Sequence, residues 1–185
     1  MKSKGVVSET KRGRVFWIAL KIYSIIYVIT ALLIILVDAG NSEWGSALAS
    51  VGKRLVPTIA PTANLARESD SVALVLTISW LWGVVGLVVG FMMLIPKDAI
   101  NTCYVANMSW VYRYAGIVLL PSAICVGYSE FFGTDGFSIG RRVFQAIERN
   151  SLFSIPWGMG IWFSFVLLAI CLRIALVRKS DCVEE

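Results

Sequence analysis

The chain has 185 residues, of which 57% are apolar and 16% charged, and its mean hydropathy is +0.74. A soluble domain has about 45–50% apolar and about 25% charged residues, so this composition indicates an integral membrane protein. Histidine is absent, which excludes imidazole catalysis, metal sites with histidine ligands and histidine pH switches.

Four segments are long and apolar enough to cross the membrane as helices, which takes about 17–25 residues for about 30 Å of hydrocarbon. The predicted spans are residues 15–37, 72–95, 109–129 and 155–177. The only charges inside them are Lys21, Arg113 and Arg173. The sequence therefore predicts an all-α integral membrane protein with four transmembrane helices.

The basic residues between the spans predict that both termini are cytoplasmic. The predicted cytoplasmic segments are 1–14, 96–108 and 178–185, and the predicted outer segments are 38–71 and 130–154. The short cytoplasmic segments hold eight Lys and Arg residues, whereas the longer outer segments hold six. In this orientation the three intramembrane cations lie toward the cytoplasmic leaflet, where they can extend to the headgroups.

The first span has a competing interpretation as a cleaved signal peptide, because a basic start precedes it and Ala47-Leu48-Ala49 follows. The apolar core of a signal peptide has about 7–15 residues, which is shorter than this span, so we expect the span to be retained. The cysteines fall within spans or on the predicted inner side, at positions 103, 125, 171 and 182. We therefore expect no disulfide outside the membrane.

Both outer segments contain a pattern typical of an amphipathic helix. In the first, the apolar stripe is Trp44, Leu48, Val51 and Leu55, with Asn41 or Ser42 placed to cap the start and Pro57 to end the helix. In the second, it is Ile139, Val143, Ala146 and Ile147, with Ser138 as the cap. The two helices either form an outward-facing surface that binds or senses something, or only cover the ends of the bundle.

Small residues recur along one face of the second span, at Ser79, Gly83, Gly86 and Gly90. Helices in lipid associate where small residues let their backbones approach closely. This glycine seam predicts helix packing, either between copies in a homo-oligomer or within one chain.

The three intramembrane cations come from three different spans. They are candidates for contact with anionic lipid headgroups or with the acidic surface of a cytoplasmic protein, to which the basic N-terminal tail adds attraction. The alternative is that Lys21, Arg113 and Arg173 only set the topology.

The sequence offers no catalytic, cofactor or metal site. No carboxylate lies well inside a span, no nucleotide-binding, metalloprotease or hydrolase motif is present, and neither serine nor cysteine has a histidine base. We expect a protein that is not an enzyme and does not bind nucleic acid directly. Three functions remain: a membrane subunit that anchors or regulates a soluble partner, an immunity protein against a pore-forming toxin, and a homo-oligomeric channel.

The layout of four apolar runs, beginning near Val15, Val72, Ser109 and Ile155, with short inner loops and no catalytic residues, resembles KwaA, the membrane subunit of the Kiwa anti-phage system. The resemblance implies an oligomer in the bacterial inner membrane, a DNA-binding cytoplasmic partner and a response to phage at the envelope. The immunity proteins of pore-forming colicins have a similar layout, including a long first outer loop, and they are the alternative.

Overall fold

The computed structural model describes residues 11–56, 58–64, 66–94, 105–112, 114–118 and 145–177. In this part of the chain all regular structure is helical and there is no β-strand. The main helices are α1 (Lys11–Leu36), α2 (Glu43–Leu55), α3 (Ile59–Asn64), α4 (Ser69–Leu94) and α5 (Ser154–Leu176). Short 3-10 turns at Ala39–Asn41 and Ser151–Phe153 precede α2 and α5.

Three segments are long and apolar enough to cross a membrane: Gly13–Leu36, Ser69–Leu94 and Ser151–Leu176. They correspond to the first, second and fourth predicted spans. Of the third predicted span, Arg113 and residues 119–129 lie outside the described residues, while 110–112 and 114–118 are helical. The protein is thus an α-helical membrane protein with three such helices in its described part, and the fourth span stays a prediction.

The second predicted outer helix also falls mainly outside the described residues. Its cap Ser138 and its stripe residues Ile139 and Val143 are not described, whereas residues 145–149 are helical and Ile147 is fully buried. The structure therefore shows only the last part of this predicted helix, residues 145–149.

The helices of membrane-spanning length are apolar on all faces instead of amphipathic. A helix surrounded partly by lipid and partly by other helices needs no polar face, and its backbone groups are satisfied by its own hydrogen bonds. Polar side chains in these helices bond back to their own turn, as Ser24 does to the Leu20 carbonyl and Thr77 to the Ala73 carbonyl.

Helix α4 is the centre of the described structure and packs against α1, α2, α3 and α5. Its N-terminal half is enclosed on all sides, since every residue of 71–77 is at most 5% exposed. Its C-terminal half keeps one apolar side exposed, at Leu81, Val84, Val85, Val88, Val89 and Met92. The two halves of α4 therefore have different surroundings, with protein around the first and an open apolar side on the second.

Candidate functional site

The enclosed half of α4 is covered by residues 38–56 and 58–64, which we call the cap. The cap contains the Ala39–Asn41 turn, α2 and α3, and it returns the chain from the end of α1 to the start of α4. Polar side chains join it to α4, so it is the candidate functional site.

A polar staple joins the beginning of the cap to α4. The Ser71 hydroxyl donates a hydrogen bond of 2.6 Å to the Asp38 carboxylate and accepts one of 3.0 Å from the Gly40 N–H. The Asn41 amide donates to the second oxygen of Asp38. Asp38 lies in the left-handed region with φ of 50°, which Asp tolerates better than most residues.

Gly40 is required at this point by the close approach of two backbones. A Cβ on Gly40 would overlap the backbone of Ser71, and Gly40 itself is buried. A side chain here would push the turn away from α4 and break the staple.

Helix α2 crosses α4 with its small residues inward. Ser42 caps the helix by accepting a hydrogen bond of 3.2 Å from the Gly45 N–H. Gly45, Ala49 and Gly52 form the buried face. A Cβ on Gly52 would overlap the Thr77 side chain of α4, so this contact brings the two helices as close as their backbones allow.

The apolar stripe of α2 lies beside the face that packs on α4 and is mostly exposed. Trp44 is 61% exposed, Val51 48% and Leu55 75%, while Leu48 is half-buried. In a helix with 3.6 residues per turn, this stripe lies about a quarter-turn around the helix from the buried small face. Three of the four predicted stripe residues are thus exposed, whereas Leu48 packs against the core, and the buried face of α2 consists of small residues outside the stripe.

An ion pair joins the far end of α2 to the start of α4. The Lys53 ammonium lies 2.8 Å from the Asp70 carboxylate, and both side chains are partly buried. Asp70 is in the first turn of α4, where a negative charge is stabilised by the helix dipole. The cap is therefore fixed to α4 by a polar contact at each end of α2.

Helix α3 fills the remaining side of the enclosed half. Ile59, Thr62 and Ala63 are at most 1% exposed, and the Thr62 hydroxyl donates to the Thr58 carbonyl at 2.8 Å. The contact with α4 and α5 surrounds a small gap lined by Ile59, Thr62, Leu76, Trp80, Trp157 and Ile161. Helix α3 thus connects the cap to α5 as well as to α4.

Below the cap, a pair of hydroxyl groups joins α1 to α4. The Tyr27 and Ser79 hydroxyl oxygens are 2.8 Å apart, and the Ser79 hydroxyl also lies 2.7 Å from the Val75 carbonyl. The Tyr27 hydroxyl also lies 3.4 Å from the Ile155 carbonyl, so each hydroxyl has a backbone acceptor and either can donate to the other. A Cβ on Gly158 of α5 would overlap both hydroxyls, so all three helices meet here.

Aromatic rings surround this hydroxyl pair. Tyr23 stacks on Trp82 with ring centres 4.8 Å apart, and it meets Trp162 edge-on at 5.6 Å. The Tyr23 hydroxyl donates to the Trp82 carbonyl at 2.6 Å. The geometry is that of a rigid packed core, in which aromatic pairs add about 0.5–1.5 kcal/mol each beyond their buried area.

The glycine seam lies inside the described bundle. Ser79, Gly83, Gly86 and Gly90 are all buried. Their neighbours come from α5 and α1 of the same chain: Phe165 at Gly83, Val166 and Tyr23 at Gly86, Ala169 and Phe16 at Gly90. Of the two interpretations that the sequence left open, this placement corresponds to packing within one chain.

The predicted intramembrane cations are not alike in the structure. Lys21 is exposed on α1. Arg173 is only 8% exposed and its Nε donates a hydrogen bond to the Leu94 carbonyl at the end of α4. Arg113 lies outside the described residues. The two described cations therefore do not form one exposed surface, and Arg173 serves a contact within the chain that its position near a helix end did not predict.

No pattern in the sequence predicts the staple, the Gly52–Thr77 contact or the Tyr27–Ser79 pair. Each joins residues more than 20 positions apart, and no local periodicity signals such a contact. Among the described residues no group of three His, Cys, Asp or Glu side chains could hold a metal ion.

Comparison with known proteins gives no relative from which a function follows. No family model matches the chain, and neither a curated protein nor a solved structure matches it. The resemblance to KwaA stays a prediction from layout alone.

Proposed function

We propose that the protein is a non-catalytic subunit of a bacterial inner membrane, with four spans and both termini cytoplasmic. It senses disturbance of the envelope and regulates a cytoplasmic protein partner. In this role it is the sensor of an antiviral, anti-phage defence system. The observation that carries this proposal is the attachment of the cap to α4, which packs against α1, α2, α3 and α5.

Helix α4 offers a packed path from the cap to the opposite side of the membrane. Its first turns hold the staple and the ion pair at Ser71 and Asp70. The carbonyl of its last residue, Leu94, accepts a hydrogen bond from Arg173 of α5. Because α4 is one continuous helix held at both ends, we propose that a displacement of the cap moves its far end.

The far end of α5 packs against the predicted cytoplasmic loop, residues 96–108. Val177 packs with Val105 and Ala106 in a small apolar cluster. A partner bound to the cytoplasmic loop or to the basic tail is thus close to the elements that α4 moves. Anionic lipids near Lys21 and the basic tail are expected to favour binding on this side.

We propose that copies of the chain associate through a face other than the glycine seam. The channel hypothesis needed that seam to bring second spans of several copies around a pore. Since α1 and α5 occupy it, an assembly through the seam would have to displace them. The subunit hypothesis has no such requirement and is therefore preferred.

The experiment is an affinity purification of the tagged protein in mild detergent, expressed with its native neighbouring genes, followed by phage challenge of the same cells. A stoichiometric soluble partner together with protection against phage is the expected result. Recovery of the protein alone, with cells protected against a pore-forming toxin, would favour the immunity function instead.

A further inference from the structure

The contacts of the cap define the slope of α2 relative to α4. Gly40, just before α2, touches the backbone of Ser71, whereas Gly52 in the last turn of α2 touches Thr77. Ser71 and Thr77 are six residues apart, which is about 9 Å along the axis of α4. Helix α2 has 13 residues and is about 20 Å long. It therefore descends obliquely along α4 and does not lie at right angles to it.

The level of Thr77 places the end of α2 inside the hydrocarbon. Helix α4 has 26 residues and is about 39 Å long, compared with about 30 Å of hydrocarbon. A centred helix projects about 4–5 Å at each end, and Thr77 is about 12 Å from its start. The contact with Gly52 is thus about 7 Å below the membrane surface, while Ser71 and Asp70 lie near that surface.

We propose that α2 is an oblique wedge whose apolar stripe binds the acyl chains of the leaflet around the N-terminal half of α4. This inference rests on the proposed function and deepens it, because it names the ligand of the sensing element. The last turn of α1 also has exposed apolar side chains, Leu33 and Leu36. Because the end of α1 lies beside the start of α4, the stripe and these side chains are at a similar depth, where the surroundings of a membrane-spanning helix are hydrocarbon.

The side chains of α2 fit their depths. Trp44 lies at the surface end, where indole rings are favoured. Leu55 lies at the deep end and is the most exposed of the stripe. Lys53 turns to Asp70 at the surface, so its charge is neutralised within the protein and does not remain in lipid. Arg54 is exposed, and its long side chain can reach the headgroups.

The wedge is coupled to α4 by its contacts. The staple at Ser71, the close contact of Gly52 with Thr77 and the ion pair at Asp70 hold both ends of α2 against the enclosed half of α4. Crowding or thinning of the acyl chains around the stripe changes the force on α2. Because α2 cannot move independently, that force acts on α4.

The test is the reactivity of single cysteines introduced into the full chain. Trp44→Cys, Ser46→Cys and Leu55→Cys are treated in intact spheroplasts and in inverted membrane vesicles with a membrane-impermeant maleimide, and denatured samples give the total thiol. The unmodified chain, whose own cysteines are predicted to be inside or within spans, is the background control. Thiols react as thiolates, which do not form in hydrocarbon.

The wedge predicts that, in spheroplasts, Ser46→Cys reacts readily and Leu55→Cys reacts at least about tenfold more slowly. Trp44→Cys is expected to be intermediate. Equal rates at Leu55 and Ser46 would overturn the wedge while leaving the proposed orientation intact. Equal protection at Trp44 and Leu55 would mean a flat helix and would also overturn it.

Different results would overturn the proposed function. Labelling of Ser46→Cys only in inverted vesicles would place the cap on the cytoplasmic side and would overturn both proposals. The labelling pattern can also be the expected one while no partner is recovered in the purification and the cells gain no protection against phage. That combination would support the wedge and overturn only the proposed function.

Discussion

The Ser71 hydroxyl donates a hydrogen bond of 2.6 Å to the Asp38 carboxylate, across 33 positions of the sequence. Asp38 follows the end of α1, and Ser71 is in the first turn of α4. The same hydroxyl accepts from the Gly40 N–H at 3.0 Å. One serine therefore closes the connection between two membrane-spanning helices and satisfies a backbone group of the turn between them.

Ser71→Ala is expected to lower the free energy of unfolding by about 1–3 kcal/mol, because it leaves the Gly40 N–H and one oxygen of Asp38 without their partner. The measurement is thermal unfolding in detergent, followed by tryptophan fluorescence. Ser50→Ala removes an exposed hydroxyl bonded only to the Ala47 carbonyl and serves as the control. Equal melting temperatures for the two variants would contradict the staple.

The close packing of the cap on α4 also gives a prediction for Gly52. A Cβ at Gly52 overlaps the Thr77 side chain, so Gly52→Ala is expected to destabilise the protein by about 1–3 kcal/mol through overpacking. Gly160→Ala is a matched control, since no atom lies within 4 Å of a Cβ at Gly160. Alanine favours helix over glycine by about 1 kcal/mol, so the control is expected to be neutral or stabilising.

The outcome for Gly52 is measured as the midpoint of thermal unfolding and as phage protection in cells. If both glycine variants melt at the same temperature, α2 is not seated on Thr77. If Gly52→Ala melts normally but loses protection, the contact transmits a signal without stabilising the fold.

The helices themselves could be predicted from sequence, but their contacts could not. Long apolar runs predict spans because lipid forces each run into a helix, and the described helices α1, α4 and α5 follow from that rule. For α2, the stripe at Trp44, Val51 and Leu55 is a local pattern, and Ser42 is one of the two caps that the sequence offered. The face that packs on α4 consists of Gly45, Ala49 and Gly52. It could not be predicted, because it depends on the position of α4, which no local pattern in α2 indicates.

The glycine seam illustrates the same limit. Spacing alone predicts that Gly83, Gly86 and Gly90 allow close approach, but not which helix approaches. The structure places α5 and α1 there. Which helix packs against the seam depends on loop lengths and on where the other helices lie. These are properties of the whole chain and cannot be read from the spacing within one helix.

The double variant Gly86→Leu, Gly90→Leu is therefore expected to destabilise each chain, by about 1–3 kcal/mol for each site. At Gly86 the added side chain would meet Val166 and Tyr23, and at Gly90 Ala169 and Phe16. Thermal unfolding and size in detergent are measured together. Gly160→Leu is the control at an open position. A loss of oligomer size with an unchanged melting temperature would instead assign the seam to contacts between copies.

Arg173 is expected to contribute to stability and not to partner binding. Arg173→Ala removes a hydrogen bond from a charged group to the Leu94 carbonyl, which is worth about 1.5–3 kcal/mol. Lys21→Met changes an exposed cation and is expected to leave the melting temperature unchanged. Partner recovery is measured by affinity purification of each variant expressed with its native neighbouring genes. Loss of the partner in a normally stable Arg173→Ala variant would show that Arg173 contacts the partner.

The Tyr27–Ser79 pair is suited to a double-mutant cycle, because the two hydroxyls can be removed separately. Tyr27→Phe and Ser79→Ala each delete one partner of a 2.8 Å hydrogen bond inside the membrane. Hydrogen bonds between membrane helices have coupling energies of about 0.6 kcal/mol on average and up to about 1.7 kcal/mol. Since both residues are fully buried, we expect a value in the upper half of that range. The measurement is the unfolding free energy of the unmodified chain, both single variants and the double variant. A coupling energy near zero would mean that α1 does not meet α4 at this level, and the rigid core below the cap would then lack its central contact.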